Sequence, residues 1–204
     1  EMCIRDRDKE GFGILEERWR FDCVPESYKT NAGEPIKYGT AKGPSEIIAT
    51  PVFHDGRVYV AIGQDPEHGE GLGCLSAVNA DTGKKVWDYR TIQRTISTCA
   101  IDPKSGLLVA ADYTGYIYCL DSKTGKEHYS ERAHAQTYRG SPVAADGKIY
   151  LTARDGTVSV IKAGPKFEVL YKNKISDQLT ASPVPSNGRI YLRGFKALYA
   201  IGKK

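Results

Sequence analysis

Apolar and polar residues alternate over short runs along most of this chain, and glycine turns separate the runs. Val58-Tyr59-Val60 follows Gly56, Leu107-Leu108-Val109 follows Gly106, Ile149-Tyr150-Leu151 follows Gly147, and Ile190-Tyr191-Leu192 follows Gly188. A second set of runs comes after each of these: Cys74 to Val78, Tyr116 to Leu120, Thr157 to Ile161 and Ala197 to Ile201. A period of two with β-branched and aromatic residues predicts strands. No long stretch carries the 3.6-residue period of a helix, so the reading is all-β.

The turns recur with the strands. Ala77 to Trp87 reads A-V-N-A-D-T-G-K-K-V-W, an apolar strand, a polar turn and a second strand. Asn79 and Asp81 can hydrogen-bond their own backbone, and Gly83 suits a position with φ above zero. Thr124-Gly125-Lys126 repeats Thr82-Gly83-Lys84 at a distance of 42 residues, with Tyr129 in the place of Trp87. Gly106, Gly147 and Gly188 are 41 residues apart. Four short strands per repeat of this length predict the blades of a β-propeller. In each blade strand A lies nearest the axis, at Thr50-Pro51-Val52, Ser141-Pro142-Val143 and Ser182-Pro183-Val184. Strand B follows the turn glycine, strand C carries the apolar columns, and strand D at the rim carries Trp87 or Tyr129.

The motif A-x-N/D-x-x-T-G-K-x-x-W resembles the repeat of the PQQ-like (pyrroloquinoline quinone) propeller family. Ala77, Asn79, Thr82, Gly83, Lys84 and Trp87 match it fully. Asp121, Thr124, Gly125 and Lys126 match it again, Tyr129 departs from it, and Ala163-Gly164-Pro165-Lys166 lacks the T-G-K turn. The resemblance covers residues 45–204. WD-repeat propellers differ, because their W-D pair precedes the turn, whereas Trp87-Asp88 follows it.

The predicted blades occupy 47–90, 96–132 and 139–174, with strands A to C of a partial blade at 179–201. Residues 14–22 read as a strand D with Trp19 in the role of Trp87, and 23–46 as a long loop. Residues 1–13 read as a non-native or disordered terminus. These pieces amount to about four blade equivalents. Because the family usually has seven or eight blades, the resemblance implies a partial propeller, the C-terminal half of a longer one. The missing N-terminal blades of the same protein would then be a partner of this fragment.

Composition narrows the function classes. The chain has 204 residues, 26% of them charged, and a formal net charge of +4 spread along its length. No Lys/Arg block points to nucleic acid, and no apolar run is long enough to span a membrane. The five cysteines form no C-x-x-C and read as small buried hydrophobes rather than a zinc site or a disulfide framework. By resemblance the location is extracytoplasmic, periplasmic or secreted. The family includes an outer-membrane protein assembly lipoprotein and quinoprotein alcohol dehydrogenase-like propellers.

The favoured reading is a non-catalytic scaffold that binds a protein or polar ligand, with no catalytic residues and no cofactor. The alternative is a fragment of a quinoprotein (PQQ-dependent) dehydrogenase, which would bring PQQ and Ca2+. Such enzymes often carry adjacent cysteines, and no such pair occurs here. Asp65, Glu67, His68 and Glu70, in an insertion between strands B and C, have oxygen and imidazole donors for a divalent metal; the favoured reading is a solvated acidic hairpin tip, since Pro66, Gly69 and Gly71 suit a loop. The tyrosines Tyr59, Tyr150 and Tyr191 read as packing between blades. The long connections are all B–C or D–A, so they should share one face of the propeller. That face is expected to gather Glu67, His68, Arg94, His134, Tyr138 and Arg139, since long loops on a rigid scaffold concentrate binding residues. Trp19, Trp87 and Tyr129 are expected to be structural anchors.

Overall fold

The computed structural model describes residues 6–7, 13–14, 17–36, 46–63 and 72–202. Two short hairpins come first. β1 (Asp6–Arg7) pairs with β2 (Gly13–Ile14), and β3 (Thr30–Asn31) pairs with β4 (Glu34–Pro35) just after a 3-10 turn at Glu26–Tyr28. Three four-stranded antiparallel sheets follow, each in simple up-and-down order. The first holds β5 (Val52–His54), β6 (Arg57–Ile62), β7 (Cys74–Asn79) and β8 (Lys85–Tyr89). The second holds β9 (Ala100–Asp102), β10 (Leu107–Ala111), β11 (Ile117–Asp121) and β12 (Glu127–Glu131). The third holds β13 (Val143–Ala145), β14 (Lys148–Thr152), β15 (Thr157–Lys162) and β16 (Val169–Lys174), and a fourth sheet has β17 (Val184–Ser186), β18 (Arg189–Arg193) and β19 (Leu198–Gly202). This is a partial β-propeller.

Local chemistry sets each hairpin. Asp55-Gly56, Asp146-Gly147 and Asn187-Gly188 all have positive φ at both residues, between 48° and 71°. Two-residue loops of that hand match the twist of the strands they join, and Asp-Gly and Asn-Gly adopt them readily. At the next turn Asn79 acts as a hub. Its Oδ1 accepts from the backbone N–H of Asp81 and Thr82 and from the Thr82 hydroxyl. Asp121 does the same for Lys123 and Thr124. These bonds explain the N/D-x-x-T spacing of the motif. The glycine after Thr then takes the left-handed conformation, at φ 69° for Gly83 and 73° for Gly125.

Packing between sheets supplies the core. Tyr59, Ala61, Leu75 and Ala77 of the first sheet meet Leu108, Ala110, Tyr118 and Leu120 of the second. Val109, Ala111, Ile117 and Cys119 of the second meet Ile149, Leu151 and Ile161 of the third. Val158 of the third meets Leu192 of the fourth through Leu179. The outer face of the fourth sheet meets no further sheet among the described residues, and it leaves Val184 55% and Leu198 72% exposed. Strands β9, β13 and β17 lie side by side at the inner edge. A relay of hydroxyls ties that edge together. The Thr50 N–H donates to Thr98 Oγ1 at 3.0 Å, the Thr98 N–H to Ser141 Oγ at 3.0 Å, and the Ser141 N–H to Ser182 Oγ at 2.9 Å.

Trp87 is 8% exposed and donates its indole N–H to the Ser122 carbonyl at 3.0 Å. Its ring lies on the next sheet's T-G-K turn so closely that a Cβ on Gly125 would fall 2.7 Å from Cδ2. Trp19 repeats both contacts one sheet earlier, on the Ala80 carbonyl and on Gly83. Tyr129 faces the turn that lacks T-G-K, and there Phe167 packs edge-on against it at 5.3 Å between centroids. The departure from tryptophan and the departure from the turn therefore occur at one contact.

Two expectations need correction. Residues 17–22 form no strand, because no neighbouring strand offers them a ladder among the described residues; the segment is held by the Trp19 indole instead. Within 23–46, expected to be a loop, the β3–β4 hairpin forms, and Cys23 packs with Phe21, Val24 and Tyr28 against Val60, Ile62 and Cys74. Cys23, Cys74, Cys99 and Cys119 are buried free thiols. Burial pushes the Cys99 thiol up to about 12.

Trp87→Ala removes both the ring and a buried donor. It is expected to lower unfolding free energy by about 3–5 kcal/mol, read from urea denaturation, whereas Trp87→Phe should cost less than half as much.

Candidate binding face

The connections divide between two ends of the sheets. At one end, each β-turn after the inner strand bonds to the turn after the third strand: the N–H of Ala80 to Gly56, of Ser122 to Gly106, and of Ala163 to Gly147. At the other end, the turns between the second and third strands of the last three sheets each bond to a link between sheets: the N–H of Tyr113 to Arg94, of Arg154 to Thr137, and of Phe195 to Gln178. The first end consists of tight turns. The second end carries the longer chain segments and most of the side-chain chemistry.

Tyr113 is the centre of that second end. The Arg94 guanidinium lies over its ring at 4.3 Å from the centroid, and that of Arg139 at 5.5 Å. Arg139 Nη2 also donates to the Tyr113 hydroxyl at 2.7 Å. Nearby, His134 Nε2 is 3.1 Å from Asp155 Oδ2, and Lys174 Nζ donates to the same oxygen at 3.1 Å. Arg94, His134 and Arg139 are thus brought to one end. Tyr138 comes with them in sequence, but its side chain is 1% exposed and belongs to the core between the second and third sheets. Asp65, Glu67, His68 and Glu70 lie outside the described residues.

Three aspartates at this end, Asp112, Asp155 and Asp177, are committed to local structure. Asp112 is fully buried; its Oδ1 accepts from the Thr114 N–H and hydroxyl and from the Tyr116 N–H, and its Oδ2 from the Tyr118 hydroxyl at 2.7 Å. Asp177 accepts from the N–H groups of Gln178 and Lys196 and from the Tyr199 hydroxyl. Burial alone would raise the Asp155 pKa, but hydrogen bonds from Thr157, Lys174 and His134 outweigh it and hold the carboxyl well below the usual range. A cleft of about 400 Å³ opens between Asp155, Lys174, Asp177, Gln178, Phe195 and Lys196. Among the described residues no group of three or more His, Cys, Asp or Glu is placed to hold a metal ion. The arrangement can hold an anion or a polar surface.

Tyr113, Asp112, Asp177 and the hydroxyl relay were not singled out from sequence. The relay had a signal, since a Ser or Thr precedes the proline of strand A at positions 50, 141 and 182. Tyr113 had none, because its equivalents are Arg154 and Phe195.

A family model described as outer membrane protein assembly factor BamB matches residues 71–164. Over that stretch the chain is similar to PQQ-like repeat propellers. BamB of Escherichia coli (strain K12) is 29% identical over 84 residues, which is 41% of this chain and 21% of that protein. Quinohemoprotein alcohol dehydrogenase ADH IIB of Pseudomonas putida is 26% identical over 118 residues, 52% of this chain and 16% of that enzyme. The match thus spans about a fifth of the length of these relatives. The crystal structure of BamB from Moraxella catarrhalis superposes with a TM-score of 0.63 at 18% identity, covering 82% of this chain and 49% of that one. It shows a shared propeller fold.

The depressed Asp155 pKa has a definite consequence for stability. Its contribution is fully present above the unfolded-state value of about 3.9 and is lost as pH falls through the lower folded-state value. Asp155→Asn is therefore expected to melt below the parent at pH 6, with the gap narrowing steadily below pH 4 in thermal scans.

Proposed function

We propose that this chain is a non-catalytic scaffold of PQQ-like repeats that holds a protein partner or a polar ligand on the face carrying Arg94, Tyr113, His134 and Arg139. The observation that carries this reading is the division of labour between the two ends. One end consists of short turns; the other presents arginines and a cleft on a rigid set of sheets, where binding residues concentrate in such folds. Asp112, Asp155 and Asp177 at that end are held in hydrogen bonds, which suits positioning better than proton transfer. BamB is by its name an outer membrane protein assembly factor, and that supports a protein partner and an extracytoplasmic location. No helix among the described residues is long and apolar enough to cross a membrane.

The alternative, a fragment of a quinoprotein dehydrogenase, has the likeness to the Pseudomonas putida enzyme in its favour. Saturable PQQ binding in the presence of Ca2+ would favour it over the scaffold.

Photo-crosslinking distinguishes the faces. A benzophenone side chain placed at Arg154 is expected to give discrete adducts in a periplasmic extract, and one at Asn187 on the opposite end is expected to give none. Equal labelling from both positions, or adducts from Asn187 alone, would overturn the assignment of the face.

A further inference from the structure

We infer that Arg139, braced by Tyr113, is the anchor of a carboxylate-binding site on this face, and that it takes an acidic segment of a partner protein. The inference rests on the scaffold reading above and names the chemistry of its partner.

Position in the repeat comes first. Arg139 stands two residues before Ser141 of the hydroxyl relay, where Ile96 and Thr180 stand before Thr98 and Ser182. Its neighbours at this inner position are therefore uncharged, and packing of the repeat does not call for a guanidinium there. Arg139 is half-buried. Among the described residues no carboxylate lies within ion-pair distance of it, and its Nε has no hydrogen-bond partner. A charge taken partly out of water without a counter-ion is costly, so the site is set up for an anion that the described residues do not supply.

The bracing is the second observation. The Tyr113 hydroxyl holds Nη2 at 2.7 Å, and the guanidinium lies over the same ring that carries Arg94. A planar fork fixed in this way loses little freedom when it binds, and it matches the two oxygens of a carboxylate. Tyr113 is itself fixed by its N–H to the Arg94 carbonyl.

The surroundings reinforce the sign of the charge. Among the described residues Arg94, Arg154 and Lys196 lie on the same end as Lys174, which is paired with Asp155, while Asp112, Asp155 and Asp177 direct their oxygens into local hydrogen bonds. Several cations spread over one face suit a run of carboxylates better than a single small anion, which favours an acidic segment over a free oxyanion.

The test uses the whole chain and a fluorescein-labelled decapeptide of glutamate, with a glutamine decapeptide of equal length as control. Anisotropy at low salt is expected to show saturable binding of the glutamate peptide alone, weakening as salt rises. Arg139→Ala should weaken binding at least tenfold and Arg139→Lys several-fold, because an ammonium keeps the charge and loses the fork. Asp146→Asn, on the opposite end, should leave binding unchanged. If Arg139→Ala fails to fold, protection of Arg139 from phenylglyoxal by the peptide, mapped by mass spectrometry on the parent chain, gives the same answer. Equal binding by parent and Arg139→Ala, or no protection, would overturn the inference. Inorganic phosphate binding as tightly as the peptide would overturn the assignment to an acidic segment. Failure of the parent chain to bind the glutamate peptide alongside intact crosslinking from Arg154 would sink this inference and leave the scaffold standing.

Discussion

The fold depends on one kind of contact, a tryptophan ring lying on the glycine of the next T-G-K turn, made by Trp87 on Gly125 and by Trp19 on Gly83. A four-stranded sheet of this size cannot bury both faces by itself, so its stability comes from its neighbours. Backbone hydrogen bonds within a sheet do not fix how far the next sheet stands or how it is rotated. Trp87 does fix this, because its ring needs the bare backbone of Gly125 and its N–H needs the Ser122 carbonyl. Tyr59 donates to that same carbonyl from the first sheet at 3.1 Å, so two side chains converge on one acceptor across the boundary. Trp19 makes the equivalent contact from a segment that is not a strand, which shows that the indole and not the ladder carries the register.

Two further layers follow from that spacing. At the inner edge, each hydroxyl of the relay reaches the backbone of the sheet before it. With the sheets held at both rim and axis, the turns at either end are placed as rigid bodies. The functional asymmetry arises here, since the short Asp-Gly and Asn-Gly hairpins close one end while the links between sheets must all cross the other. Arg139 can reach Tyr113 of the preceding sheet because both sit on that second end, on adjacent repeats.

Much of the fold was legible in the sequence for a physical reason. Glycines with obligatory positive φ, the Asn79 and Asp121 hubs and the alternating columns are all local signals that repeat. The strand expected over residues 14–22 does not form at 17–22, because a strand needs a partner and a partner cannot be read from a single segment. Of the candidate site, the shared end of Arg94, His134 and Arg139 follows from topology alone. The inward turn of Tyr138 and the bracing role of Tyr113 do not, because both depend on contacts between repeats. Pattern reading finds what the repeats share, and the site lies where they differ.

The contact between indole and turn glycine is tested most directly by a double-mutant cycle of Trp87→Ala and Gly125→Ala, read from urea denaturation. In the parent background an added Cβ at position 125 meets both the ring and a φ of 73°; with Trp87 removed, only the backbone strain remains. The account predicts that Gly125→Ala costs clearly more in the parent than in Trp87→Ala, with a coupling within the range of about 0.5–3 kcal/mol seen for residues in contact. An equal cost in both backgrounds would contradict it.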